Sequence, residues 1–287
     1  MIKSIAAAVL GLSLSLGLWA KTEESQGIPP EIKQLNWQDN GKGAIAGKAV
    51  VNIPAGYGFL GEADTSKLLQ AFGNPPSHDN FLIAPKSLDW FAVFSFDDTG
   101  YIKDDEKIDA DDLLKSMKAS DKAGNDERKK LGLAALYTDG WQVPPHYDTA
   151  TKRLEWGLRL RDEDGDKNVN YTSRILGRSG VMSATLVSDT ESLAKNTDEF
   201  KKVLAGFNYN TGESYAEFKN GDKVAAIGLG ALILGGAAAV ATKKGLWGVI
   251  GGFLAAGWKF IAAAAVALFA GIGKLFGRKK NDAGPTA

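Results

Sequence analysis

The chain contains no cysteine and only two histidines, His78 and His146. Without cysteine there is no disulfide framework, no thiol nucleophile, no thiolate metal site and no lipid attachment of the lipoprotein kind. Each histidine stands alone in a proline-containing loop, so a histidine-based zinc site would need acidic partners from elsewhere in the chain. No Gly-x-Ser-x-Gly turn is present; Gly177-Arg178-Ser179-Gly180 has the wrong spacing. A phosphate-cradling glycine loop with its lysine is also missing. These absences leave a cofactor-free reading, with no internal repeat and no low-complexity linker.

Net charge is absent too, since 34 basic residues balance 34 acidic ones, but the balance hides a split. Lys3 and the seven basic residues after position 223 (Lys243, Lys244, Lys259, Lys274, Arg278, Lys279, Lys280) lie at the ends, with Asp282 their one acidic neighbour. Residues 21–223 therefore keep 26 bases against 33 acids, a net of −7, while the tail carries +6. An acidic domain on a basic tail argues against a nucleic-acid role for the domain and for lipid headgroup contact by the tail.

The ends are also the apolar parts. Residues 1–20 carry Lys3, an apolar stretch from Ile5 to Trp19, and Ala20 where a signal peptidase cuts, so a signal peptide is expected. An uncleaved N-terminal anchor is the alternative. Residues 224–276 read as a membrane anchor, followed by a basic tail at 277–287. Its first span, 224–241, is eighteen residues without a charge, about 27 Å of helix against a hydrocarbon core of about 30 Å. The plainer alternative is a buried helix of a soluble core. Beyond Lys243-Lys244 the stretch Leu246–Gly273 is apolar except for Lys259. Hydrophobicity favours a second span at 257–276; the positive-inside rule favours a basic helix on the inner leaflet. Small residues recur every four positions at Gly248, Gly252 and Ala256, and again at Ala263, Ala267 and Gly271, the spacing that lets helices pair within or between chains.

Between the ends, residues 21–223 have the pattern of one exported α+β domain with a mainly antiparallel sheet and interspersed helices. Strands are expected at Ala44–Ile53, Trp90–Phe96 and Gly180–Val187. A hairpin is expected where RDEDGDKN separates Leu154–Leu160 from Val169–Leu176. Helices are expected at Asp64–Phe72, capped by Asp64 or Thr65, at an acidic start near Asp109, and at Thr190–Ala205.

Two groups stand out as candidate sites. Eight carboxylates lie between Asp97 and Asp112, and loops of this kind supply hard cations with oxygen ligands, which makes Asp104 and Asp105 candidate metal ligands. A solvated turn before an acidic helix start explains most of them equally simply. The second group gathers Trp141, Pro145, Tyr147 and Trp156, with Asn170, Arg174 and Arg178 downstream, the residue types of a peptide- or glycan-binding surface. A core hairpin is its plainer reading.

Eight phrases carry a resemblance: VNIPAGYGFL, FGNPP, WFAVFSFDDTGYIKDDE, IDADDLLKSMK, NDERKKLG, GWQVPPHYD, NYTSRILGRSGV and DKVAAIGLGALILGG, spread from about Ala44 to Gly236. Together they resemble the bacterial membrane-anchored family known as domain of unknown function 2167. The resemblance implies an envelope location and a membrane anchor, and no activity. The sequence thus points to a non-enzymatic binding module on the periplasmic or extracytoplasmic side of a bacterial cell membrane. Its partners are the lipid bilayer and either another protein or a second copy engaged through the anchor. A cation-dependent envelope hydrolase and an oligomeric membrane component acting through its Gly/Ala-rich helices are the alternatives.

Overall fold

Strand Phe91–Asp97 sits near the middle of everything else, because its two faces are both apolar. A computed structural model describes residues 29–72, 74 and 76–235. The first 28 residues and residues 236–287, with the expected signal peptide, the last third of the first span, the second span and the Gly248–Gly271 small-residue stripe, lie outside the described residues.

In chain order the elements are α1 (Pro30–Lys33), β1 (Lys42–Ile45), β2 (Ala49–Asn52), β3 (Tyr57–Leu60), α2 (Glu62–Ala71), β4 (Asn80–Pro85) and β5 (Phe91–Asp97). They continue with α3 (Ala110–Lys130), β6 (Leu136–Asp148), β7 (Arg153–Asp162), β8 (Lys167–Leu176), β9 (Val181–Asp189), α4 (Leu193–Ala205), β10 (Phe207–Tyr209) and α5 (Leu229–Ile233). Every pairing between named strands is antiparallel: a seven-stranded sheet in the order β3-β4-β5-β9-β8-β7-β6 and a three-stranded sheet β1-β2-β10. The fold class is α+β with antiparallel sheets, as the alternating patterns require.

Alternation assigns the two faces of the large sheet. Ala92 and Phe94 of β5, Val169, Tyr171 and Ile175 of β8, and Met182, Ala184 and Leu186 of β9 point one way. They pack on α4 and on the small sheet through Phe200, Val203, Val51 and Phe207. The opposite face is divided. Phe91, Val93, Leu82 and Ala84 pack under α2. Leu154, Trp156, Leu176 and Val181 form a separate cluster with Ile102, Leu113 of α3, and Leu229, Leu232 and Ile233 of α5.

Local chemistry explains the boundaries. Asp109 caps α3, accepting the amides of Asp111 and Asp112 at 3.1 Å, and the basic last turn Arg128–Lys130 matches the helix dipole. The expected strand Ala44–Ile53 is instead the hairpin β1–β2, because Ala46 (φ 50°) and Gly47 (φ 65°) turn the chain through the left-handed region. Helix α2 starts two residues before the expected cap. Asp64 is inside it and accepts from the Asn36 amide nitrogens and Lys67. The loop RDEDGDKN turns β7 into β8 with Gly165 at φ 90°, as expected of a hairpin.

Both edges of the large sheet are covered. On β6, the Leu136 and Thr138 amides donate to the side chains of Asn125 and Asp121 on α3, both at 2.8 Å. Farther along, Pro144 and Pro145 offer no donor. On β3, Phe59 exchanges both backbone hydrogen bonds with Gln38, each at 2.9 Å.

Candidate functional site

The sequence-predicted aromatic residues come together, and the chain itself lies on them. Trp156, buried on β7, and the half-buried Trp141 and Tyr147 on the edge strand β6 belong to the cluster beside α3. The Trp141 indole donates to the Ala110 carbonyl at 2.9 Å, which fixes the ring against the first turn of α3. Leu113 and Met117 on α3 form the opposite wall. This groove is occupied by residues 225–235, the first part of the charge-free stretch. Leu229 and Leu232 are 0% exposed and Ile233 3%, with Ile227 and Leu234 packed against them.

The seated segment is held by few polar contacts. The Tyr101 amide donates to the Lys223 carbonyl and the Ala225 amide donates to the Tyr101 carbonyl, both at 2.8 Å. The Gly230 amide donates to Glu106 at 3.1 Å, and Gly228 sits against the same carboxylate, 1.9 Å from a hypothetical Cβ. Three fully buried aliphatic side chains contribute roughly 5–9 kcal/mol. The half-buried Ile227, Ala225 and Leu234 pack beside them.

A polar cluster rims the groove. Asp104 accepts from Lys152 at 2.7 Å and from the Tyr147 hydroxyl at 2.8 Å. Tyr215 stacks on Tyr101, lies under the Lys152 ammonium, and donates to the Ile102 carbonyl at 2.9 Å. Burial works to raise the Asp104 pKa, but the Lys152 and Tyr147 hydrogen bonds outweigh it and hold the carboxyl below its ordinary value. Burial, and then the Asp104 carboxylate, push the Tyr147 hydroxyl well above the ordinary tyrosine range. Asp105 is exposed. Among the described residues no three acidic or histidine side chains converge as a metal site would require, and the Asp104 carboxylate is engaged by a cation and a phenol.

The remaining predicted residues fall elsewhere. Register puts Asn170, Thr172 and Arg174 of β8 on the same sheet face as Trp156, between the two apolar clusters of that face. There Arg174, 6% exposed, is paired with Asp97, 8% exposed, and its Nε is buried without a hydrogen-bond partner among the described residues. Pro145 is half-buried on the edge strand. Arg178 lies in the loop after β8, where it makes a bidentate pair with Asp222 at 2.7 Å for both bonds, anchoring the approach to the seated segment. That pairing lowers Asp222 to about 2. Sequence reasoning missed Lys152 and Tyr215, and it counted Asp97 and Glu106 only as members of the acidic cluster, without their partners. The WFAVFSFDD phrase did single out the strand bearing Asp97, but nothing local marks a partner 77 residues away.

A family model described as "Protein of unknown function (DUF2167)" matches residues 38–269. The chain belongs to this family. The DUF2167 match spans the whole sheet, the groove and the segment seated in it. No curated protein matches the chain. Among solved structures it is similar to cyanobacterial PsbP (CyanoP) from Synechocystis sp. PCC 6803, at 12% identity and a TM-score of 0.36, over 59% of this chain and 92% of that one. It is also similar to the Ran-binding protein Mog1p of Saccharomyces cerevisiae, at 9% identity and 0.33, over 63% and 98%. Both scores are too low to assign this DUF2167 chain a fold or a partner.

No described helix is long and apolar enough to cross a membrane. The part of the expected first span that the structure describes is folded against Trp141 and Trp156.

Proposed function

We propose that this DUF2167 protein is a non-enzymatic, membrane-tethered interaction module of the bacterial envelope, its domain outside the cytoplasmic membrane. Its groove between α3, β6 and β7 receives an apolar helical segment. The observation that carries this reading is the seating of Leu229, Leu232 and Ile233 against Leu113, Trp141 and Trp156. A surface that accepts one short apolar helix has the chemistry to accept another, in the helix-in-groove manner. The anchor draws its support from the charge split and the apolar composition of residues 236–276.

Two measurements test the proposal. Carbonate-washed membranes retain the full chain if it is anchored; recovery in the wash would contradict the tether. A photocrosslinking residue in place of Met117, on the groove wall, yields adducts with apolar membrane-spanning peptides if the groove binds them. Adducts confined to hydrophilic proteins would contradict the binding mode.

A further inference from the structure

We infer that residues 224–235 have two mutually exclusive places, the groove of the domain and the bilayer, so that docking and spanning are alternative states of one segment. The inference rests on the tether proposed above. Eighteen charge-free residues run from Val224 to Ala241, with Lys243-Lys244 following. That length is just enough for one crossing. When Leu229, Leu232 and Ile233 occupy the groove, only residues 236–241 remain between Gly235 and Thr242. Six residues reach about 9 Å as a helix and about 20 Å fully extended, both short of the ~30 Å core. An extended strand in lipid would also leave its backbone groups unpaired. The first span therefore cannot form while the groove is filled.

The seat is built to be left. The segment is joined to the domain by isolated backbone hydrogen bonds at Tyr101 and one carboxylate contact at Glu106, not by a sheet ladder. The approach, by contrast, is fixed: Arg178 clamps Asp222, and the Lys223 side chain donates to the Asp98 carbonyl at 2.9 Å. The hinge thus falls directly after Lys223. Leaving the groove uncovers Trp156, Trp141 and Leu113, so insertion of the segment opens the site for an apolar helix from a partner.

The absence of native cysteine makes the test clean. In the full chain, Thr242→Cys reports the side on which the segment ends: outside when docked, cytoplasmic when spanning. Two opposing changes shift the balance without altering the apolar stretch beyond one residue. Leu113→Glu spoils the groove wall and is expected to lower labelling of the Thr242→Cys thiol by an impermeant maleimide in intact cells about ten-fold. Met117→Glu, on the half-buried part of the same wall, shifts it in the same direction should Leu113→Glu fail to fold. Glu106→Cys with Gly228→Cys closes the segment onto the domain, and in the oxidised protein the thiol at position 242 is expected to react from outside. Oxidised protein whose position-242 thiol reacts only after permeabilisation would overturn the inference, as would outside labelling unchanged by both groove variants. Carbonate extraction of the same cells reads the tether separately: a chain released by carbonate fails at the anchor, whereas a retained chain with unchanged labelling fails at the switch.

Discussion

The Gly230 amide donates to the Glu106 carboxylate across 124 positions of sequence, and it is the single side-chain hydrogen bond given to α5 among the described residues. Gly228 lies beneath the same carboxylate, where an added Cβ would meet Oε2 at 1.9 Å. Either Glu106→Ala or Gly228→Ala removes the contact, the second by pushing the carboxylate aside. Each is expected to destabilise the full chain by about 0.5–1.5 kcal/mol. The double variant is expected to cost no more than the worse single one, which denaturation of all three variants would show.

The buried Arg174–Asp97 pair predicts a different pattern. Removing one partner strands a charge in the sheet, so Arg174→Met or Asp97→Asn is expected to cost about 3–5 kcal/mol. Replacing both with apolar residues, Arg174→Met with Asp97→Leu, recovers most of that loss, because the Arg174 Nε is already without a partner. Urea midpoints of the three variants check the order.

Asp104 gives the pH dependence. Its folded pKa lies below the ordinary value, so its stabilisation is complete above about pH 4 and is lost as pH falls through the folded pKa. In Asp104→Asn the acid limb of the stability profile is expected to flatten. Lys152→Met lowers stability at neutral pH by about 1 kcal/mol and moves the limb upward. Thermal melts between neutral pH and about pH 3 separate the two.

Glycine positions give opposite signs. A Cβ at Gly180 would meet the backbone oxygen of Asp97 at 2.1 Å, and a backbone atom cannot swing away. Gly180→Ala is expected to cost at least about 2 kcal/mol. Gly124, inside α3 with nothing within 4 Å of its Cβ position, is expected to gain about 0.5–1 kcal/mol as alanine. Paired melting curves test both.

How much of this was legible depends on range. The β7–β8 hairpin was readable because RDEDGDKN and its flanking alternation are local signals, and the α3 cap because Asp109 acts within three residues. The edge strand β6 was hidden by Pro144-Pro145, which read as a loop. In the fold they fall within the register shift between Val143 and His146, where the edge strand leaves the ladder and no donor is required of them. The aromatic group was found by residue type, yet its occupant was not. An apolar run is driven from water with the same chemistry whether it ends in lipid or in protein, so Leu229, Leu232 and Ile233 pointed to the bilayer and to the groove alike. Asp97 with Arg174 and Glu106 with Gly230 were invisible because only the folded register brings them together.

The seating of the segment is tested most directly by the disulfide between Glu106→Cys and Gly228→Cys. The Glu106 Cβ lies 3.5 Å from the Cβ position of residue 228, within the range of a natural bridge, and no native thiol competes. In the native full chain, mild oxidation is expected to close this bond completely and to raise the melting temperature, since the loop it closes is long. Two thiols that stay free and reactive while the domain remains folded would show that residues 225–235 do not occupy the groove.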